Sequence, residues 1–330
     1  MKILVLGGTK FLGRHIVARL AERSHAVVAF HRGETMCELP AGVEERFGDR
    51  NSDLSSVETD RWDAIVDVAA YEPDQVRRSR ELNAESYLFV STVNVYQDLS
   101  QPGIAEDWRT IESYDSADEG QAYGAKKAVC ERLVLERFPN KATLLRPGLI
   151  VGKWDPTGRF TYWCERILRG GAYLAPLPKE RPVQIIDAAD IARFVERALM
   201  DNLFGTYNAV GPRAGTTMSA VLKACARVAA ERNAPMSRPI WVDGDFLDRN
   251  GVGEWVEMPL WLKDPQYAGI LEVSNAAAVR AGFEYRPLKE TIRAILDWAA
   301  QSPDHRVAGL SSEREAALLS HAAKTAAGLR

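Results

Sequence analysis

The sequence predicts an α/β fold, a doubly wound parallel sheet with a smaller C-terminal lobe, and three observations support this prediction. Over the first 150 residues, short apolar runs alternate with amphipathic stretches of helical period. Such alternation is typical of a parallel sheet that is covered by helices. A glycine-rich turn joins the first apolar run to the first helical stretch. The length of 330 residues is sufficient for about two domains.

The glycine-rich turn lies between a strand predicted at residues 3–6 and a helix predicted at residues 11–23. Glycines allow the backbone to approach a pyrophosphate closely, and the N-terminus of the following helix offers free N–H groups to it. The spacing of Gly7, Gly8 and Gly13 is close to the dinucleotide fingerprint, although Lys10 stands where a middle glycine is often found. We therefore predict a Rossmann-type dinucleotide site at this turn.

A second strand is predicted at residues 25–30, and the residues at its end indicate whether NAD or NADP binds. An acidic residue there binds the ribose of NAD, whereas an arginine accommodates the 2′-phosphate of NADP. Arg32 follows this strand and Lys10 adds a second cation in the turn, so the sequence favours NADP(H). Glu34 is an alternative partner for the ribose, which keeps NAD(H) open. Asp49, after a third strand at residues 44–47, is placed to accept a hydrogen bond from the adenine amino group.

Two further strands are predicted at residues 63–68 and 86–91, and each is followed by small or hydroxyl-bearing side chains. In a doubly wound sheet the ligand binds beyond the carboxyl ends of the strands. We therefore expect these side chains to lie against the dinucleotide. The expected contacts are Ala69, Ala70, Tyr71 and Ser91.

An acid–base pair is predicted in the helix that follows, at residues 125–138. Tyr123 and Lys127 are four residues apart and therefore share one helix face. A tyrosine has a pKa of about 10, and a nearby ammonium lowers it by stabilising the phenolate. Such a pair can pass a proton to or from a substrate oxygen.

Composition excludes several other classes of function. The formal net charge is −3, from 42 basic and 45 acidic residues, so no general field attracts nucleic acid or an anionic membrane. No apolar run reaches the roughly 18 residues that span a bilayer, and we expect a cytoplasmic protein. The four cysteines and five histidines show no metal-ligand spacing, which predicts free thiols and no metal site.

Five motifs occur in one order that resembles the extended short-chain dehydrogenase/reductase superfamily, in its NAD-dependent epimerase/dehydratase-like branch. The resemblance covers most of residues 1 to 300. The motifs are Gly-Gly-Thr-Lys-Phe-Leu-Gly at 7–13, Asp49, Phe-Val-Ser-Thr-Val-Asn-Val-Tyr at 89–96, Tyr123-x-x-x-Lys127, and Leu-Arg-Pro-Gly-Leu-Ile-Val-Gly at 145–152.

The resemblance implies a role for each matching residue. Tyr123 would be the catalytic acid–base, and Lys127 would lower the pKa of Tyr123 and hold the nicotinamide ribose. Thr92 matches the residue that hydrogen-bonds the reacting carbonyl or alcohol. The implied pyrophosphate contacts are Gly7, Thr9, Phe11, Leu12 and Gly13, and those beside the carboxamide are Pro147, Gly148, Leu149 and Ile150.

Three departures from the family pattern limit the prediction. Val93 and Asn94 replace the Asp-Glu pair of sugar-nucleotide dehydratases, so a dehydratase is not expected. The short connection at residues 71–85 leaves the usual dimer helices in doubt, so either a monomer or a homodimer is expected. Lys10 also resembles a subgroup with Gly-Gly-Thr-Arg/Lys-Phe-x-Gly that includes chloroplast stem-loop RNA-binding proteins.

The second half of the chain is predicted to hold the substrate. We divide the chain into a dinucleotide-binding domain at 1–150, a substrate lobe at 151–310 with some segments that return to the sheet, and a C-terminal helix at 311–330. Residues 154–163 are rich in aromatic and polar groups, as small-molecule pockets are, and Arg159 is suited to pair with a carboxylate or phosphate. Residues 241–262 are predicted to cap the substrate. The expected substrate contacts are Tyr96, Trp154, Arg159 and Gln184.

These observations predict an NADP(H)-dependent ketone or aldehyde reductase that acts on a small polar molecule. One alternative is a sugar epimerase with tightly held NAD. Another is an RNA-binding or nucleotide-sensing protein without catalysis, although the set of Thr92, Tyr123 and Lys127 and the net charge of −3 count against nucleic acid as a partner.

Overall fold

Among the described residues, seven strands form one large parallel sheet and four strands form two small sheets of two strands each. The computed structural model describes residues 1–35, 37–114, 120–212, 216–305 and 307–328. The strands are β1 (Lys2–Leu6), β2 (Ala26–His31), β3 (Glu44–Phe47), β4 (Ala64–Asp67), β5 (Tyr87–Val90), β6 (Ala142–Leu145), β7 (Leu149–Val151), β8 (Gly171–Pro176), β9 (Ile185–Asp187), β10 (Gly205–Tyr207) and β11 (Ser237–Val242).

Helices connect most of these strands. They are α1 (Phe11–Glu22), α2 (Ser55–Glu58), α3 (Pro73–Ser79), α4 (Ala122–Arg137), α5 (Arg159–Leu168), α6 (Ala188–Met200), α7 (Met218–Glu231), α8 (Gly244–Arg249), α9 (Ala276–Arg280), α10 (Leu288–Gln301) and α11 (Ser312–Gly328). Two short 3-10 helices lie at Val93–Val95 and Pro265–Tyr267.

The large sheet is parallel throughout and has the order β10-β6-β5-β4-β1-β2-β3. The strand order reverses at β1, whose Leu6 pairs with Phe30 of β2 on one side and Asp67 of β4 on the other. Helix connections on the two sides of this point lead in opposite directions, which opens a crevice at the carboxyl ends of the strands. The predicted Rossmann-type sheet is confirmed.

Alternating side chains of β1 supply two different cores because successive strand residues point to opposite faces. Ile3 and Val5 pack in the cluster that contains α1 and α6. Leu4 and Leu6 pack in the cluster that contains α4. The sheet is thus buried on both faces, which accounts for the continuous apolar runs in its strands.

The C-terminal lobe has its own core, in which α5 packs against α7 and α10. The parallel pair β8 and β11 belongs to this lobe, and the sequence did not predict either strand. Helix α11 packs on β8, and the buried Arg166 of α5 donates to Glu315 of α11 at 2.5 Å. The C-terminal helix therefore packs on the lobe of its own chain.

Two later strands lie in different sheets. β9 pairs with β7 outside the large sheet, whereas β10 returns to the large sheet beside β6. Thr217 caps α7, since its hydroxyl accepts from Ala220 N–H at 3.2 Å. Across the described residues, no helix is both long and apolar enough to cross a membrane.

Candidate active site

Two cavities meet at the carboxyl edge of the large sheet. The first, which we call the strand-end cavity, has a volume of about 520 Å³ and follows the ends of β1, β2, β4 and β5. The second, which we call the lobe cavity, has a volume of about 760 Å³ and is closed on one side by α5 and residues 255–271. Thr92, Tyr123 and Gly148 line both cavities. A ligand in each cavity would therefore meet the other at these residues.

The glycine turn shapes one end of the strand-end cavity. Gly7 has a φ of +94°, and a Cβ atom there would lie 2.4 Å from the Cβ of Ala69. A Cβ on Gly13 would lie 2.0 Å from the carbonyl oxygen of Gly7. Neither position can hold a larger residue without moving the backbone. Lys10 precedes α1 and makes no side-chain cap, so the first N–H groups of this helix stay available to an anion.

Most of the predicted cofactor residues line the strand-end cavity. Three do not: Gly13 packs behind the turn against Gly7, Ala70 is fully buried, and Leu149 lines the lobe cavity instead. Those that line it are Gly7, Thr9, Lys10, Phe11, Leu12, Arg32, Asp49, Ala69, Tyr71, Ser91, Tyr123, Lys127, Pro147, Gly148 and Ile150.

The far end of this cavity lies at the end of β2. Arg32 forms an ion pair with Glu34 at 2.7 Å, and both side chains are more than half exposed. The residue predicted for the 2′-phosphate and its alternative for the ribose therefore pair with each other. His31, which sequence reasoning missed, donates from Nε2 to Glu45 at 2.9 Å, since its Nδ1 accepts from Gly33 N–H, and it also lines the cavity. Asp49 accepts from the backbone and the side chain of Asn51 at 2.9 and 2.8 Å.

Two observations, besides the position of the cavity, indicate that it suits a dinucleotide. Ser91, at the end of β5, lines the cavity and has a buried hydroxyl oxygen without a hydrogen-bond partner among the described residues. A buried polar atom of this kind is rare unless a ligand or water meets it. Gly7 approaches Ala69 so closely that no Cβ atom fits between them, which keeps the backbone of the turn next to the strand ends. The residues present therefore suit a polar ligand that extends across the strand ends.

Thr92 and Tyr123 are brought together by a close contact between two elements. Thr92 precedes the 3-10 helix Val93–Val95, and its hydroxyl accepts from Asn94 N–H at 3.2 Å. Tyr123 lies in the first turn of α4, next to Gly124. A Cβ atom on Gly124 would lie 1.8 Å from the carbonyl oxygen of Asn94. Only a glycine permits this approach, which allows Tyr123 to hydrogen-bond Thr92.

The pKa of Tyr123 differs from the prediction. Burial and the nearby Tyr71 raise it to about 12, against the opposing effect of the hydrogen bond with Thr92. The rings of Tyr71 and Tyr123 lie 6.4 Å apart. The expectation that Lys127 lowers this pKa is wrong, because the ammonium of Lys127 is held by backbone carbonyls.

Lys127 points to the ends of two neighbouring strands. Its ammonium donates to the carbonyl oxygens of Ala70 at 2.8 Å and Val90 at 2.6 Å. Burial lowers its pKa to about 8, against the opposing attraction of Asp67. Lys127 thus lies at the floor of the strand-end cavity, between β4 and β5, as a buried cation that readily loses its proton.

A buried ion pair supports this floor, and sequence reasoning missed it. Arg50 donates to both carboxylate oxygens of Asp67, at 2.7 Å each. The hydroxyl of Tyr87 donates to the same carboxylate at 2.7 Å, and Asp67 also accepts from Ala69 N–H at 3.2 Å. Asp67 therefore holds the backbone that presents the carbonyl of Ala70 to Lys127. The Arg50 guanidinium holds the pKa of Asp67 below its usual value, although complete burial opposes this.

Of the predicted substrate residues, Arg159 lines the lobe cavity with its side chain over the ring of Trp255. Tyr96 also contributes to the wall, but its hydroxyl donates to Asn208 at 2.6 Å and accepts from Arg146 at 3.0 Å. The hydroxyl of Tyr96 is therefore committed to a buried network. Tyr96 lines the lobe cavity, so its contact with substrate stays a prediction, made through the ring rather than the hydroxyl.

The other two predicted substrate residues lie outside both cavities. Gln184 is buried and exchanges hydrogen bonds with the backbone of Gly211 and Val273. Trp154 packs beside α1, where the guanidinium of Arg14 lies 3.9 Å from its ring. Partners far away in the sequence hold these two side chains away from the two cavities, and their contacts with substrate stay predictions. Within the described part of the chain, no three or more His, Cys, Asp and Glu side chains are grouped to hold a metal ion.

The fold and site define a dinucleotide-binding protein with a tyrosine at the junction of two cavities. The sequence matches the NAD dependent epimerase/dehydratase family over residues 3–81 and 76–209, and the chain belongs to this family.

Solved structures of several epimerases share the fold. UDP-glucose 4-epimerase of Thermus thermophilus, in complex with NAD, is 22% identical with a TM-score of 0.60, over 92% of this chain and 100% of that one. WbmH of Bordetella bronchiseptica, in complex with NAD⁺, is 15% identical with a TM-score of 0.65, over 91% and 98% of the two chains. At these identities, the similarity concerns the fold alone.

A curated relative has a different description. The chloroplast stem-loop binding protein of 41 kDa b from Arabidopsis thaliana is 27% identical over 113 residues, which are 29% of this chain and 30% of that protein. The match therefore spans less than a third of the relative.

Proposed function

We propose that the protein transfers a hydride between C4 of a nicotinamide dinucleotide and a carbonyl or secondary alcohol of a small polar molecule. The observation that carries this proposal is the junction of the two cavities, which both reach Thr92 and Tyr123. A dinucleotide in the strand-end cavity and a substrate in the lobe cavity would have their reacting ends at this junction. The dinucleotide would supply or accept the hydride there.

The chain itself would handle the proton. With a pKa raised to about 12, Tyr123 is protonated at neutral pH and is suited to donate a proton to a carbonyl oxygen during reduction. Thr92 hydrogen-bonds Tyr123 and would orient the same substrate oxygen. Lys127 would hold the nicotinamide ribose from the cavity floor. In the reverse direction the phenolate of Tyr123 would take the proton from the alcohol.

For the cofactor, we propose NADP(H), with NAD(H) as the alternative. Arg32 and Lys10 both line the strand-end cavity and would contact the 2′-phosphate after Arg32 leaves Glu34. The family name and the two complexes described above specify NAD, which supports the alternative. Titrations with NADPH and NADH, followed by tryptophan fluorescence, distinguish the two. Tighter binding of NADH would overturn the NADP(H) proposal.

Epimerisation at a sugar carbon is the second candidate, and membership of the epimerase/dehydratase family favours it. The same tyrosine would serve, but no reduced dinucleotide would accumulate. Incubation with UDP-glucose separates the candidates: inversion at C4 without net change in dinucleotide absorbance would establish the epimerase, and oxidation of NADPH by an added ketone or aldehyde would establish the reductase.

Substitution of Tyr123 tests the acid–base role. Tyr123→Phe should lower turnover by about 10²-fold or more, the usual contribution of a general acid, while the Kd for NADPH stays within about twofold, since only the phenolic oxygen is lost. Tyr114→Phe is the matched control because Tyr114 is exposed and lines neither cavity. Turnover in Tyr123→Phe equal to that of the control would contradict the role.

A non-catalytic role in RNA binding is a third candidate because the curated relative is a stem-loop binding protein. An electrophoretic mobility shift assay with a short RNA hairpin tests it, and an RNA of the same length and composition that cannot form a stem is the control. A hairpin-specific shift together with no hydride transfer would replace the enzymatic proposal.

A further inference from the structure

We propose that Arg159 and Trp255 form an anion-binding subsite in the lobe cavity, and that the substrate carries a carboxylate or phosphate held there. The inference rests on the proposed function, since it places the substrate in this cavity. It goes further because it assigns a charge to the substrate and identifies a wall residue that the sequence did not single out as a contact.

The first support is that Arg159 has no counter-ion. Three buried arginines of this chain each have a carboxylate partner, namely Arg50 with Asp67 at 2.7 Å, Arg146 with Glu131 at 2.7 Å and Arg166 with Glu315 at 2.5 Å. Arg159, among the described residues, makes no ion pair and no hydrogen bond. It is also the sole cationic side chain among the described residues that line the lobe cavity.

The nearby acid, Asp155, attracts Arg159 but makes no ion pair with it among the described residues. Asp155 is buried, and one of its carboxylate oxygens accepts from the N–H and the hydroxyl of Thr157, at 2.8 Å each. Burial raises the pKa of Asp155, and the charge of Arg159 opposes this rise. The single acidic residue among the described residues of the cavity wall, Asp98, accepts from Ser100 N–H at 2.8 Å.

The second support is the way in which Trp255 holds the guanidinium. The central carbon of the guanidinium lies 5.0 Å from the centre of the Trp255 ring. A guanidinium over an aromatic face is attracted through its own face, and its N–H donors remain at its edges. Those edges match the two oxygens of a carboxylate or phosphate. The ring thus supports the cation without occupying the groups that would bind an anion.

Trp255 is held in this place by a strained backbone. Its φ is +62°, a left-handed conformation that is rare for large side chains. Its N–H donates to the carbonyl of Trp261 at 3.2 Å, and Trp261 is almost fully buried in the lobe core. Strain that the surrounding structure maintains at a cavity wall is a common property of ligand sites.

The two ends of the lobe cavity therefore differ in chemistry. Thr92 and Tyr123 lie at the end shared with the strand-end cavity, and Arg159 and Trp255 lie on the lobe side. A substrate that fits both has a carbonyl or alcohol carbon in one part and an anionic group in another. A volume of about 760 Å³ is within the range for small-molecule sites.

Protection of Arg159 from phenylglyoxal tests the subsite without any need for turnover. The full chain is modified at pH 8 with inorganic phosphate, acetate or uncharged acetamide present, and the rate at each arginine is measured by peptide mass spectrometry. Phosphate or acetate should slow modification of Arg159 at least about fivefold, as charge-assisted bonds occupy the guanidinium. Arg227, which is exposed on α7, is the internal control and should react equally in all solutions.

The anion that protects identifies the substrate chemistry. Stronger protection by phosphate indicates a phosphate ester, and stronger protection by acetate indicates a carboxylate. Equal protection of Arg159 and Arg227 by the anions, or equal protection of Arg159 by acetamide, would overturn the proposal. So would an unchanged rate at Arg159 in both anions.

A matched pair of ketones connects the subsite to catalysis. With dihydroxyacetone phosphate and dihydroxyacetone, or with acetoacetate and acetoacetamide, R159Q should reduce the wild-type preference for the anionic ketone in kcat/KM at least about tenfold. The R227Q control should keep the wild-type preference. Protection of Arg159 without hydride transfer on any of these ketones would refute the proposed function and retain the anion site. Hydride transfer with no preference for the anionic ketone, in wild type and R159Q alike, would refute the anion site and retain the function.

Discussion

Gly124→Ala should separate the two halves of the acid–base site. The added Cβ atom would lie 1.8 Å from the carbonyl oxygen of Asn94, whereas an ordinary contact needs about 3.4 Å. Because the obstacle is a backbone atom, relief requires α4 and the 3-10 helix Val93–Val95 to move apart by about 1.5 Å. Tyr123 moves with α4, and Thr92 moves with the 3-10 helix that it caps.

The expected loss of stability combines two opposing effects. Alanine is favoured over glycine within a helix by about 1 kcal/mol, and overpacking against a fixed atom costs about 3 kcal/mol. The net destabilisation is therefore about 2 kcal/mol. With an unfolding entropy of roughly 2 cal/mol/K per residue, a chain of 330 residues should lose about 3 °C in Tm. Turnover should fall further, by about 10²-fold, because an error of about 1 Å in catalytic geometry has that effect.

Thermal unfolding and steady-state turnover, measured on the same preparation, check both numbers. Gly244→Ala is the matched control because Gly244 begins α8 and its added Cβ would lie 3.6 Å from Trp261, an ordinary contact. The control should keep wild-type turnover and stability. Gly124→Ala with unchanged Tm and unchanged turnover would refute the argument that a glycine is needed to bring Tyr123 to Thr92.

Two further predictions concern buried polar groups. The pKa of Lys127 is lowered to about 8, so its ammonium loses its proton as pH rises from 7 to 9, and the affinity for NADPH, measured by fluorescence, should fall up to about tenfold over that range. Lys127→Met should bind NADPH more weakly at pH 7 and show no such fall. A wild-type affinity that does not change with pH would contradict the role of the cation. Tyr96→Phe should cost about 1–3 kcal/mol in denaturant unfolding because it removes the hydroxyl that donates to the side-chain oxygen of Asn208 and accepts from Arg146, while the KM for substrate stays unchanged. An increased KM would show that the hydroxyl reaches the substrate after all.

Elements with a strong local period were predictable from the sequence. The predicted α1 and β3 lie within a residue of their observed bounds, and for α1 the reason is that its apolar residues recur at helical spacing along the chain itself. β8 and β11 escaped prediction because they pair with each other across more than sixty residues, from Gly171 to Ser237 at the first paired position. Neither strand shows an alternation of apolar and polar residues from which a strand could be predicted locally.

The same division holds for the site. The turn at Gly7, the dinucleotide residues and the spacing of Tyr123 and Lys127 are properties of neighbouring residues, and the sequence alone determined them. The tertiary structure decided what those side chains meet: Lys127 binds carbonyls 57 and 37 residues earlier in the chain, and the Tyr96 hydroxyl reaches Asn208, 112 residues away. Burial and hydrogen bonding set the proton affinities and the free donors of a site, and both depend on which distant segments pack together. The sequence therefore determined the family and the kind of site, and only packing decided that the pKa of Tyr123 is raised and that Arg159, among the described residues, makes no ion pair and lies over Trp255.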